Sequence, residues 1–343
     1  MTSPAWRDIQ ALRATPPGLA ATNAPRKRVL AAALRQAEEL AQAADAVSYA
    51  AKPLLLFYSL SQAGRAIAAA HLPDRFELEG HGIQFRLGNP KNVLMGTVSK
   101  QSIGGTFQGV AAAAGSATID RPVQIGALWA ANPDLAAVPI PSQFGDWPRA
   151  VANVVGTRPD QSRDLPYMTA GLICAILNLP GQTGADIANV VQKYPSLAGT
   201  RGMKFGVHGD DAFAQPNEQI GRRDDGRIWL GRPAEKSMKL ADFWELENGL
   251  YSVVEVDESY PLYPDPHYVG WAIPTLADGP APSPLLLWWA LLFGLSHLTR
   301  YHPAAWTGAV DLDASVLAAP LRQVLDEATK SLPLRVLAAL EGR

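Results

Sequence analysis

Apolar positions recur along this chain at two different spacings, and the spacing changes where the architecture should change. Over 29–47 (VLAAALRQAEELAQAADAV), Leu30, Leu34 and Leu40 fall toward one side among Ala, Gln and Glu, which predicts an amphipathic helix. Pro53 then opens a second helical segment, PLLLFYSLSQAGRAIAAAHL. It is apolar nearly all round, so it belongs at the centre of a core, and it must stop before Pro73. From about Arg75 the pattern shortens. Residues 76–78, 82–87, 93–98 and 105–110 read as strands, with Gly88-Asn89-Pro90 and Gly104-Gly105 as the turns between them. Helical spacing returns over 123–136, with a break at Pro133-Asp134.

Residues 137–165 are Pro-rich and charged at their end, as a surface connection would be. Residues 165–179 read as an apolar helix carrying Cys174, and 184–194 as another. A second β-rich stretch spans 202–271, with MKFGVHG, RIWLGRP, SVVEVDE and YVGWAI as its strands. The chain closes with helices over 284–301 and 315–331 and a short one over 334–340 after Pro333. Helices, strands, helices, strands, helices is an α+β order, without the βαβ alternation of a parallel sheet. The expected architecture is a predominantly helical core made by the N- and C-terminal helices, with a β-rich central insertion. Its parts are 1–74, 75–281 and 282–343, and the apolar runs near Leu55 and Leu286 should zip together.

Composition removes several classes. The 343 residues are 48% hydrophobic and carry 30 Lys+Arg against 32 Asp+Glu, so disorder is excluded and no global field attracts a polyanion. The basic run Arg26-Lys27-Arg28 reads as a solvated helix entry. The most apolar run, SPLLLWWALLFGLS from Ser283, is uninterrupted for about a dozen residues, whereas a bilayer requires roughly 20. It reads as a core helix, and with no secretory pattern at the start the expected location is cytoplasmic, with no membrane contact. One cysteine excludes an internal disulfide framework and a Cys-rich zinc module.

Several ordered segments resemble the YaaC-like family of bacterial proteins. They are Gln36-Ala37-Glu38-Glu39, then Pro53-Leu54-Leu55-Leu56-Phe57-Tyr58, then Glu79-Gly80-His81-Gly82, followed by Gly105-Thr106-Phe107 and residues 128–135. Near the end come the apolar helix 285–298, Arg300-Tyr301-His302-Pro303, Trp306 and a closing Pro333 segment. The resemblance covers both ends well and 110–270 poorly. It implies a fold and marks Tyr58, His81, Arg300, His302 and Trp306 as residues for binding or structure; the family carries no established reaction, substrate or cofactor.

The residues themselves name little chemistry. Six histidines include no HExxH, so no metal site is expected, and neither a P-loop nor a dinucleotide fingerprint is present, so no cofactor is implied. Gly104 to Gly109 reads as a turn entering a strand. Arg65 and His71 fit the Arg-x4–6-His spacing of HEPN-type endoribonucleases, in which the arginine would stabilise charge on phosphate and the histidine would move the proton. Arg75/His81 and Arg201/His208 share the spacing, and on an ideal helix Arg65 and His71 point about 120° apart. At the end of the apolar helix, Arg300 suits the helix dipole, Pro303 prevents continuation and Trp306 locks the turn. His81 between two glycines is either a hydrogen-bond hub or a site residue. The expected function is a non-catalytic partner-binding or assembly subunit, with a protein partner or a second copy of itself. The alternative is a HEPN-like endoribonuclease of toxin or phage-defence type acting through Arg65 and His71, with RNA as its partner. A hydrolase built on His81 and a carboxylate is a third reading.

Overall fold

The structure is a computed structural model. It describes residues 4–135, 138–147, 151–157, 173–176, 183–192, 201–204, 213–221, 228–231, 251–252, 268–273 and 282–342. The chain forms two compact units, residues 1–147 with 282–343, and residues 148–281.

The first unit is helical, with one small sheet. Its helices are α1 (Pro4–Ala14), α2 (Ala24–Ala46), α3 (Lys52–His71), α4 (Thr106–Ala113), α5 (Ile125–Ala131), α7 (Pro284–Tyr301), α8 (Pro303–Val310) and α9 (Ala318–Glu341). The antiparallel sheet has the order β1 (Ile83–Arg86), β2 (Thr97–Lys100), β3 (Val123–Gln124), with Phe85 opposite Val98 and Val98 opposite Val123.

The two apolar helices from opposite ends of the chain do pack together. Phe57 of α3 meets Trp289 edge-on at 6.3 Å and Phe293 at 5.5 Å between ring centroids. All three are buried. Gly64 admits the Trp289 ring against α3, because that ring occupies the space a Cβ would need. Side chains as large as tryptophan bury 150–250 Å² each, so this seam is a major source of the first unit's stability.

Polar anchors fix the helix ends. Lys52, buried at the start of α3, pairs with Asp326 of α9 at 2.9 Å, and the Tyr49 hydroxyl donates to the same carboxylate at 2.9 Å. Within the core, Asp134 accepts from Trp288 Nε1 at 2.7 Å and pairs with Arg335, tying α7 and α9 to the turn after α5.

The second unit contains α6 (Gly184–Val191) and strands β4 (Val151–Thr157), β5 (Ile173–Ile176), β6 (Arg201–Gly202), β7 (Ile228–Gly231), β8 (Tyr251–Ser252) and β9 (Tyr268–Ile273). They form an antiparallel sheet in the order β6-β7-β5-β4-β9-β8. Helix α6 starts at a capping box in which Thr183 and Asp186 exchange hydrogen bonds.

The fold class is therefore α+β, with a helical core drawn from both ends of the chain. Residues 75–147 belong to the same compact unit as the terminal helices.

Six local readings change. Residues 93–95, expected as the start of a strand, form a 3-10 helix, and only 97–98 of that run enter β2. Residues 106–113 are helix instead of strand: Phe107, Val110 and Ala111 are buried at helical spacing, and Gln108 Oε1 accepts from Gly105 N at 3.0 Å. Residues 76–78 form no strand, and Phe76 instead carries the Arg26 guanidinium 4.3 Å above its ring. Cys174 lies in β5, opposite Leu230 of β7 and Gly156 of β4; a short apolar run has no period that separates strand from buried helix. The expected connection over 137–165 contains β4. Finally, α9 runs on through Pro333, which is buried, so packing outweighs the roughly 3 kcal/mol a mid-helix proline costs. Residues 205–209, expected as strand, lie outside the described residues, as do 253–267.

Candidate functional site

Three segments of the first unit meet beside the α3–α7 seam: the middle of α3, the Gly80-His81-Gly82 turn and the C-terminal end of α7. The turn is held rigidly. Gly80 and Gly82 have φ of +66° and +75°, which only glycine adopts without strain. The first amides of α4 clamp the backbone between them, with Thr106 N donating to Gly80 O at 3.1 Å and Phe107 N to His81 O at 3.1 Å. Gly82 O accepts from Gln101 N at 2.8 Å and Gln108 Nε2 at 2.9 Å. The His81 backbone is thus a hydrogen-bond hub, and its ring is fixed against Phe57 at 5.7 Å and Phe293 at 5.5 Å.

From α7, His297 stacks near Tyr301 at 4.4 Å and Phe85 at 5.2 Å, with the His302 ring 6.1 Å away. Arg300 lies one turn on. Its Nε reaches Ser296 O at 3.4 Å and its Nη1 reaches the Tyr58 hydroxyl at 3.5 Å, both at the outer limit of hydrogen-bond length. Tyr58 and Arg65, seven residues apart on α3, share an exposed side of that helix.

The electrostatics are one-signed. Partial burial holds the His81 imidazole below its ordinary pKa, and the positive charges of Arg300 and then Arg65 push it further down. His297 is lowered in the same way by burial, then by Arg300, His302 and His81. Both rings are therefore neutral near pH 7. Among the described residues no carboxylate pairs with Arg65 or Arg300, and the His81 ring makes no hydrogen bond. The Nδ1 of His297 is buried without a partner, which suits the tautomer that carries its proton on Nε2.

The named residues divide. Tyr58, Arg65, His81, Arg300 and His302 surround this face, whereas His71 and Trp306 are engaged elsewhere. His71 Nε2 hydrogen-bonds to Leu340 O at 2.9 Å, locking the end of α3 to the end of α9. The buried Trp306 donates from Nε1 to Ala50 O at 3.0 Å, joining α8 to the turn before α3. Arg26, read as solvated, is buried and donates to the carbonyls of Ala69, Leu72, Pro73 and Asp74 over 2.7–3.2 Å, capping α3. Sequence reasoning missed His297 and Tyr301 as members of the face. Their signal was present, since 297, 300 and 301 follow Phe293 at helical spacing and turn one end of an apolar helix polar.

Among the described residues no three His, Cys, Asp or Glu side chains gather as metal ligands do, and no helix is long and apolar enough to cross a membrane. The fold is that of a helical α+β protein, and this face of it carries arginine, histidine and tyrosine side chains. The model of the YaaC-like protein family matches residues 17–141 and 233–340, and the chain belongs to that family. Every residue of the face lies within the matched segments. No curated protein and no solved structure shows significant similarity to the chain.

Proposed function

We propose that this protein is a non-catalytic partner-binding or assembly subunit, and that the Arg65–His81–Arg300 face is its contact surface. The supporting observation is that the charges of Arg300 and Arg65, from different helices, both bear on the His81 ring, and among the described residues no carboxylate pairs with either arginine. Arginine and tyrosine are the side chains most often responsible for binding energy at interfaces. Here Tyr58 is 36% and Tyr301 60% exposed beside those arginines, an apolar area that a partner would cover. The partner would present an anionic group to this face.

The test is light scattering on a sizing column, with the protein alone and with the products of neighbouring genes. A defined complex that Arg65→Glu with Arg300→Glu dissociates supports the reading. A monomer that binds none of them overturns it.

The endoribonuclease reading has one observation in its favour: the charge of Arg65 acts on an imidazole whose pKa is lowered, a group that can accept a proton near pH 7. That imidazole is His81, while His71 is held by a carbonyl. Incubation with structured and unstructured RNA tests it, comparing wild type with His71→Ala and His81→Ala. Cleavage lost in His81→Ala favours it, and no cleavage by wild type removes it.

A further inference from the structure

We propose that α8 and the turn after it form a self-association surface, on which a second copy of this chain packs its own α8 in antiparallel orientation about a two-fold axis. The inference goes beyond the Arg65–His81–Arg300 face and rests on different observations.

Apolar area is left in solvent at both ends of α8. Among the described residues, three of the four most exposed large hydrophobic side chains fall in this one stretch: Tyr301 at 60%, Leu312 at 55% and Val316 at 64%. The inner side of α8 is spent on the core through the buried Trp306 and Val310. Its exposed positions are Pro303, Ala304, Thr307 and Gly308, and from Tyr301 to Val310 the chain carries no Asp, Glu, Lys or Arg. A surface helix ordinarily turns a charged face to water. Exposed apolar area without charge at its centre is the mark of an interface.

The surface is also rigid. Leu312 and Val316 stand on a turn closed by its own hydrogen bonds: Asp313 N donates to Asp311 Oδ1 at 3.0 Å, Ser315 N to Asp311 O at 2.9 Å and Leu317 N to Ser315 Oγ at 3.1 Å. Behind it, Arg322 Nη2 donates to Val310 O at 2.9 Å, and Trp306 Nε1 fastens α8 to Ala50 O. Association therefore loses little ordering entropy.

Charge selects the occupant. Arg300 and His302 precede the first turn of α8, while Asp311 and Asp313 follow its last, so a helix about 12 Å long separates ends of opposite sign. The helix dipole has the same sense, positive at the start and negative at the end. A second α8 laid antiparallel brings the acidic end of each copy to the basic end of the other, whereas a parallel pair opposes like charges. Such self-complementarity is what an isologous two-fold contact requires. At the exposed Gly308 an added Cβ would meet nothing within 4 Å, which leaves room for the partner helix to approach closely.

The test is sedimentation velocity on the full chain over a range of protein concentrations. A concentration-dependent equilibrium between monomer and dimer is expected. Gly308→Arg should weaken the dimer at least about tenfold. That substitution raises helix propensity and enters open space, so it reads contact and not folding. Leu312→Glu with Val316→Glu should weaken the dimer by a similar factor. Asp313→Lys should weaken it most at low salt, where the opposed charges are least screened. Arg65→Glu, on α3, should leave it unchanged.

A chain that stays monomeric at the highest concentration overturns the proposal, as does a dimer that Gly308→Arg and the Leu312→Glu, Val316→Glu double variant both leave intact. Complexes with the products of neighbouring genes are measured separately. A monomeric chain that binds one of them, even through α8, sinks this inference and leaves the proposed function standing.

Discussion

The C-terminal ends of α3 and α7 are both rich in basic side chains, and they use them in opposite ways. At the end of α3, Arg26 donates to four carbonyls and His71 holds the carbonyl of Leu340. At the end of α7, Arg300 makes two long hydrogen bonds and lies over the Tyr301 ring, and the His81 ring touches Phe57 and Phe293 but makes no hydrogen bond among the described residues. The helix dipole favours cations at both places. What differs is supply: at the first end Arg26 finds four carbonyls within 3.2 Å, whereas at the second Arg300 finds one carbonyl and one hydroxyl at the limit of hydrogen-bond length, among aromatic rings. A cation with close acceptors inside the fold stabilises it, and one held only by long contacts contributes less.

That contrast can be broken by substitution. The largest effect is expected for Arg26→Ala, which strips the cap from α3 and leaves partly buried carbonyls unpaired. Unfolding in urea should show a loss of about 3 kcal/mol. His71→Ala removes one hydrogen bond, so a loss of about 1 kcal/mol should appear in the same measurement.

Acid gives a smaller change with a definite sign. Burial and the arginine charges lower the pKa of His81 and His297 in the folded state, so the unfolded chain binds protons more readily. Stability from this source is complete above the ordinary histidine pKa, about 6.5, and is lost as pH falls from there through the lowered values. A melting temperature that rises on acidification through this window contradicts the assignment.

The smallest stability effect belongs to Arg65→Gln, within about 0.5 kcal/mol, as for other surface changes. It should nonetheless move the His81 titration upward, toward the ordinary value, because one of the two charges opposing protonation is gone. An unchanged His81 titration curve would separate Arg65 from the face.

The helices were legible because their signals are local and long. Apolar residues nearly all round 53–72 and 284–301, with a proline at each start, leave no fold in which those segments avoid the core. Short elements were not. Residues 105–110 carry both a Gly-Gly turn signal and helical spacing, and the decision came from Gly80, His81 and Gly82, whose carbonyls accept at the start of α4. Cys174 sits in a run too short to show a period, and pairing with β4 and β7 made it a strand.

The site divides in the same way. Residue types, charge balance and the pairing of the two apolar helices follow from the order of amino acids, because burial of long apolar faces is dictated by composition and period. Which histidine stands beside Arg65 does not follow from it. His71 has the matching spacing and His81 has the neighbourhood, since hydrogen bonds and charge act through space and the turn after α3 carries the chain back across the helix. Spacing along the chain ranks partners by number; the fold ranks them by distance, and only distance sets the chemistry.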